Sequence, residues 1–294
     1  MELKKVLAGI EGLKAKGNLD IDIMQISNDS RDIKEGAMFI AIKGFDVDGH
    51  KYIEKAIENG AKAILIEEAE VKNVVNEIPE NVTIIVAKDT RKATAICACN
   101  FYDNPSRKLQ LVGITGTKGK TTTTFMIKAI LEKQGIKTGL IGTIATYIGD
   151  KKLEDSDRTT PDSIKLQETF AKMVDAGCTA CVMEVSSQSL KLNRVYGSDF
   201  NIGVFTNFSE DHISPKEHPD MEDYFNSKVE LFKMCKYGYI NVDDINTIRV
   251  PKLVPNCMIQ TYGIDNENNL LAKDITITNS YVDFKVKLNG KNER

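Results

Sequence analysis

The chain has almost no surplus of charge of either sign: Lys+Arg number 39 and Asp+Glu 42, a formal charge of −3 over 294 residues. A basic coat for nucleic acid is therefore excluded, since such proteins bind through an excess of cationic side chains. No apolar run approaches the ~18 residues of a membrane-spanning helix. Residues 1–5 lead into a segment broken by Gly9, Glu11 and Gly12, so no signal-peptide core is expected and a cytoplasmic setting follows. Internal repeats and low-complexity stretches are lacking, and only three histidines are present. Six cysteines in a chain of this length do not make a disulfide framework. Cys178 and Cys181 have C-x-x-C spacing, but they run straight into Val182-Met183 and no second pair lies at zinc spacing. Buried thiols acting as small hydrophobes are expected there, without zinc.

At roughly 150 residues per domain, the length allows about two domains. Residues 37–42, 63–66 and 82–87 read as strands. Tyr52, Ile53, Ala56 and Ile57 recur at helical spacing before Gly60, and a second helix covers residues 90–102. Asp103-Asn104-Pro105-Ser106 is turn chemistry, which places the boundary between a domain at 1–104 and another at 105–294. In the second, strand patterns at 109–114, 140–141, 180–183 and 202–205 alternate with helical ones such as 125–134. That alternation predicts an α/β fold with a largely parallel sheet. Residues 275–277 and 282–286 alternate as edge strands do, ahead of a polar stub at 289–294.

The run Thr115-Gly116-Thr117-Lys118-Gly119-Lys120-Thr121 follows a predicted strand and opens a predicted helix, the setting of a phosphate loop. Glycines let backbone N–H groups converge on phosphate oxygens, and the helix N-terminus adds a favourable dipole. Lys120 suits the β/γ-phosphates and the Thr121 hydroxyl suits Mg²⁺. The loop is a variant, because Ile114 stands where a strict Walker pattern has glycine. Thr121, Thr122, Thr123 and Thr124 put β-branched residues at a helix start, a conflict of the kind expected at functional sites.

Three further residues invite two readings each. Glu184 closes an apolar strand, where open α/β sheets bind ligands; it is a second Mg²⁺ ligand or an ordinary loop glutamate. His212 lies beyond another strand end, as a ligand or as an exposed loop histidine. Lys228 falls in the apolar arc of its own helix beside Tyr224 and Leu231. It either snorkels to water or is a neutral amine able to take up CO₂ as a carbamate, an anionic metal ligand.

Together these pieces resemble the Mur ligases, closest to the members that add the third residue of the peptidoglycan stem peptide. The matching motifs are the loop at 113–122, Thr159-Thr160-Pro161, Glu184-Val185-Ser186-Ser187, Phe205-Thr206-Asn207 through Asp211-His212, and Tyr224-Phe225 through Lys228. Asp29-Ser30-Arg31, Gly36 and Asp48-Gly49-His50 also match in the first domain. The resemblance implies an ADP-forming amide ligase, with a small UDP-binding domain ahead of a central ATPase domain. ATP passes its γ-phosphoryl group to the carboxylate of UDP-N-acetylmuramoyl-L-alanyl-D-glutamate, and a diamino acid attacks the acyl phosphate. It further implies that Gly116, Thr117, Lys118, Gly119, Lys120, Thr121 and Thr122 hold ATP. Thr121 and Glu184 would hold one Mg²⁺, and His212 and carbamylated Lys228 a second. Thr159, Thr160, Ser186 and Arg194 would contact the muramoyl-dipeptide, and Asn28, Ser30, Phe45, Asp46 and Val47 the UDP part. Lys118, Gln188 and Leu192 depart from the residues common at those positions. The family's C-terminal, amino-acid-binding domain is expected to be absent, and a monomer is the working expectation. Two alternatives remain: another ligase of the superfamily, such as a folylpolyglutamate synthetase, and a non-catalytic nucleotide-binding module.

Overall fold

The computed structural model describes residues 1–74, 78–215, 217–266, 268–288 and 291–293. It comprises two compact units. The first takes Met1–Lys108 with Pro161–Lys172 and Leu192–Ser198; the second takes Leu109–Thr160, Met173–Lys191 and Asp199–Arg294.

The first unit contains strands β1 (Lys14–Lys16), β2 (Gln25–Ser27), β3 (Ala37–Ile40), β4 (Ala61–Glu67) and β5 (Thr83–Ala87), in the order β1-β5-β4-β3-β2. Strands β2 to β5 are parallel and β1 runs antiparallel along β5. Helices α1 (Leu3–Val6), α2 (Ile53–Glu58), α3 (Val71–Val74) and α4 (Thr90–Phe101) accompany them. Successive strand residues point to opposite faces. Met38, Ile40, Leu65 and Ile85 pack with Ala93 and Cys97 of α4, whereas Phe39, Ile64 and Ile84 pack with Ile53 and Ala56 of α2. Both faces are covered, which explains the uninterrupted apolar strands.

The second unit is built on strands β6 (Gln110–Thr115), β7 (Thr138–Ile141), β8 (Ala145–Ile148), β9 (Lys151–Asp155), β10 (Ala180–Glu184), β11 (Phe200–Phe205), β12 (Cys235–Asn241), β13 (Met258–Gly263), β14 (Leu270–Ile277), β15 (Val282–Leu288) and β16 (Lys291–Glu293). Their order is β16-β15-β14-β13-β12-β11-β6-β10-β7-β8-β9. The block from β14 to β7 is parallel, and the hairpins at either end are antiparallel. The expected polar stub pairs with β15 over 291–293, because ladder bonds use the backbone and need no apolar side chains. The remainder of that stub, residues 289, 290 and 294, lies outside the described residues. Helices α5 (Lys120–Lys133), α6 (Ser163–Asp175), α7 (Ser187–Lys191), α8 (Met221–Lys233) and α9 (Val250–Leu253) complete the chain, with α6 shared between the two units.

The strand order fixes where a ligand can sit. From β6 the chain runs outward to β7, returns to insert β10, then crosses to the other flank for β11, β12 and β13. The direction reverses around β6, so the carboxyl ends of β6, β10 and β11 open a crevice. In register, Glu184 lies beside Ile114 and Phe205 beside Thr115. All six cysteines are buried and free. No helix among the described residues is long and apolar enough to cross a membrane.

Candidate active site

The loop leaving β6 is shaped by two glycines. Gly116 has φ 144° and Gly119 has φ 82°, left-handed backbone that L side chains rarely adopt. A Cβ on Gly116 would strike the Thr206 hydroxyl, whereas one on Gly119 would meet open space. Gly119 is the N-cap of α5, which starts at Lys120 and takes in the threonine run expected at a helix start, ahead of the apolar periodicity that begins at Phe125. The Thr123 hydroxyl donates to Gly119 O (2.8 Å) and that of Thr124 to Thr121 O (2.7 Å), so these side chains bond to the preceding turn.

The loop after β11 clamps this turn. Thr117 N donates to Asn207 O (2.9 Å) and Lys118 N to Asn207 Oδ1 (2.9 Å). Asn207 Nδ2 and Thr206 Oγ1 both donate to Lys118 O, at 3.0 and 2.7 Å. The Lys118 and Thr122 side chains face outward. Lys120 Nζ donates to Gly116 O (2.9 Å) and Thr117 O (3.0 Å), while Lys228 Nζ donates to Gly116 O at 3.0 Å. Two ammonium-forming groups thus share one carbonyl. Burial, and then the Lys120 charge, hold the Lys228 amine well below the ordinary lysine range, against an opposing pull from Asp211. Burial likewise lowers Lys120, opposed by Glu184 and Asp211.

Lys228 does not snorkel. It is 1% exposed, and its amine lies 4.2 Å from the centre of the Tyr224 ring. Helix α8 reaches this geometry through its sequence: Asp220 caps it by accepting from Asp223 N (2.8 Å), and Tyr224, Phe225, Val229, Leu231 and Phe232 turn inward. His212 is exposed, with φ 58°, and its Nδ1 lies 3.3 Å from both Glu217 carboxylate oxygens. Its ring is 5.8 Å from that of Tyr224, so one tyrosine adjoins both His212 and Lys228.

Glu184 is not a solvated loop residue. It is 1% exposed, and Oε1 accepts from Thr121 Oγ1 (2.9 Å) and Thr143 N (2.9 Å). Oε2 accepts from Thr143 Oγ1 at 3.2 Å, and that hydroxyl lies 3.0 Å from Thr159 Oγ1. Thr160 Oγ1 donates to Glu184 O (2.9 Å) and accepts from Ser186 N (3.1 Å). Thr121, Glu184, Thr159, Thr160 and Ser186 therefore form one connected set. Among the described residues no three His, Cys, Asp or Glu side chains gather as a ready-made metal site. What the crevice offers is a buried carboxylate beside a hydroxyl at a glycine cradle, a donor set that suits Mg²⁺ held jointly with phosphate oxygens.

The remaining candidates lie in the first unit. Asn28 is exposed; Ser30 is buried, and its carbonyl accepts from Asn59 Nδ2 at 2.8 Å. Phe45 (59% exposed), Asp46 and Val47 (56% exposed) form a turn closed by Gly44 N donating to Val47 O (2.8 Å). Arg194 belongs to the Leu192–Ser198 segment of that unit. Sequence reasoning passed over Thr143 and Asp223, and gave Ser187, His218, Thr206 and Asn207 no role. Thr206-Asn207 directly after a strand end was the available signal; Thr143, between Gly142 and Ile144, carries none.

The description "Mur ligase middle domain" matches residues 114–293, and "Mur ligase family, catalytic domain" matches residues 22–102. The chain belongs to the Mur ligase family. One relative of this Mur ligase chain is the UDP-N-acetylmuramoyl-L-alanyl-D-glutamate–2,6-diaminopimelate ligase of Clostridium tetani. It is 46% identical over 295 residues, covering 100% of this chain and 59% of the relative. A solved structure bearing the same ligase name superposes with TM-score 0.82 at 24% identity, over 100% of this chain and 58% of that one. The MurF ligase of Thermotoga maritima in complex with ADP gives TM-score 0.56 at 20% identity, over 92% and 57% respectively. The Mur ligase chain thus spans about three fifths of the length of these curated relatives and shares the ligases' α/β fold.

Proposed function

We propose that this chain forms the UDP-substrate-binding and ATP-binding parts of an ADP-forming amide ligase of peptidoglycan synthesis, working in the cytoplasm. The acceptor is UDP-N-acetylmuramoyl-L-alanyl-D-glutamate, and the names of the relatives favour 2,6-diaminopimelate over lysine as the added residue. The observation that carries this reading is the convergence of Lys120, Thr121, Glu184 and Lys228 on one phosphate-type loop at the sheet's switch point.

Gly116, Thr117, Lys118, Gly119, Lys120, Thr121 and Thr122 cradle the nucleotide. The first-turn N–H groups of α5, which have no intrahelical acceptors, receive the phosphate oxygens. Lys120 leaves its loop carbonyls to pair with the β/γ-phosphates. Thr121 and Glu184 would hold one Mg²⁺, and His212 and carbamylated Lys228 would hold a second. Burial holds the Lys228 amine below the ordinary lysine range, and in its unprotonated form it would add CO₂: an N–C bond forms, a proton leaves to solvent, and a two-oxygen anion replaces a buried base. Bound magnesium supplies the charge that lets a carboxylate approach a polyphosphate. Thr159, Thr160, Ser186 and Arg194 orient the dipeptide carboxylate, and Asn28, Ser30 and the Phe45–Val47 turn contact the UDP moiety.

Thermal denaturation tests the reading. Mg·ATP and UDP-N-acetylmuramoyl-dipeptide should each raise the melting temperature. Stabilisation by a folate in place of the UDP compound would reject it in favour of a folylpolyglutamate synthetase.

A further inference from the structure

His218 is fully buried, and both its ring nitrogens are engaged. Nδ1 lies 2.6 Å from Asp223 Oδ2 and Nε2 lies 2.9 Å from Ser187 Oγ. An ionised Asp223 only accepts, so Nδ1 carries the proton and Nε2 pairs with the serine hydroxyl. Lys191 Nζ also donates to Asp223 Oδ2 (2.8 Å) and to Glu217 O (3.0 Å). The order Ser-His-Asp suggests a nucleophile, but Ser187 is 5% exposed and the imidazole 0%, so no substrate reaches them.

What the chain joins is more telling. Ser187 opens α7, three residues beyond Glu184, while Asp223 lies in the first turn of α8 and directly precedes Tyr224. The His218 ring is 5.0 Å from that of Tyr224. Tyr224 in turn donates its hydroxyl to Thr117 Oγ1 (3.3 Å) and lies under the Lys228 amine. Ser187, His218 and Tyr224 are buried and Asp223 is half-buried, and hydrogen-bonded side chains held in such surroundings stiffen what they connect.

We propose that His218 is a positioning residue: the Ser187–His218–Asp223 brace fixes the first turn of α8 and, through Tyr224 and Lys228, sets Thr117 and Gly116 of the phosphate loop. The proposal rests on the nucleotide-binding reading above and adds a determinant that touches no ligand.

Mg·ATP titrations of the full chain by calorimetry test it, alongside urea denaturation. Ser187→Ala should weaken Mg·ATP binding about fivefold, the equivalent of one net hydrogen bond, and Ser187→Thr, which keeps the hydroxyl, should restore it. His218→Asn, which keeps a donor toward Asp223 but loses the serine, should match Ser187→Ala. Ser189→Ala removes a nearby fully buried hydroxyl outside the brace; it should lower stability without weakening nucleotide binding. Affinity within twofold of the parent in both Ser187→Ala and His218→Asn overturns the brace alone, as does failure of Ser187→Thr to restore it. A parent chain that does not bind Mg·ATP overturns the underlying reading and the brace with it.

Discussion

Lys228 puts a titratable amine in a place that disfavours its charge, and this has a measurable pH signature. Burial, reinforced by Lys120, brings its folded pKa well below the 10.5 of an ordinary lysine. Between the folded value and 10.5 the unfolded chain binds more protons, so stability rises with pH across that window. Lys228→Met has no such proton to release. In CO₂-free buffer it should be more stable than the parent, with the largest margin at the acid end and a shrinking one toward pH 10.5, followed by urea midpoints. A margin independent of pH would mean the amine is not desolvated. Part of this was legible: Tyr224, Lys228 and Leu231 at i, i+4 and i+7 placed the lysine in an apolar arc. Which carbonyl it meets was not, because Gly116 is 112 residues away in sequence. Thr143 was illegible for the same reason, since its partner Glu184 lies 41 residues on.

At the scale of elements, α5 gave the sharpest disagreement between local sequence and fold. Four consecutive threonines are poor helix formers, yet the helix begins at Lys120, carried by a left-handed glycine cap and by hydroxyls bonding back to the preceding turn. The buried strands β3, β4, β6, β10 and β11 were legible as apolar runs. The hairpin of β8 and β9 was not: β9 reads Lys-Lys-Leu-Glu-Asp and is exposed at four of five positions, so periodicity has little apolar contrast to detect. The cap itself is testable. Gly119→Ala meets no atom and bears only the left-handed strain, about 1–2 kcal/mol. Gly116→Ala adds a collision with Thr206 and should lose clearly more in urea denaturation. Equal losses would mean the loop relaxes away from Thr206.

At the scale of the whole molecule, two compact units have separate cores, and the proposed function assigns the Phe45–Val47 turn of the first to the UDP moiety and the glycine loop of the second to the nucleotide. Lys120→Ala should therefore abolish the melting shift produced by Mg·ATP while leaving that produced by the UDP-dipeptide largely intact. Loss of both would show that the proposed division of labour is wrong. The α/β class and the parallel sheet could be read from strand–helix alternation. That Pro161–Lys172 and Leu192–Ser198 group with the first unit could not, because nothing in their composition marks a return across the chain.

The six cysteines have a practical corollary. All are buried, and burial pushes each thiol upward, Cys97 and Cys99 to about 12. At neutral pH almost none is present as the reactive thiolate. The native fold is therefore a silent background for maleimide chemistry: one thiol introduced in place of exposed Val47 would be the preferred attachment point for a fluorophore, ready to report events at that turn.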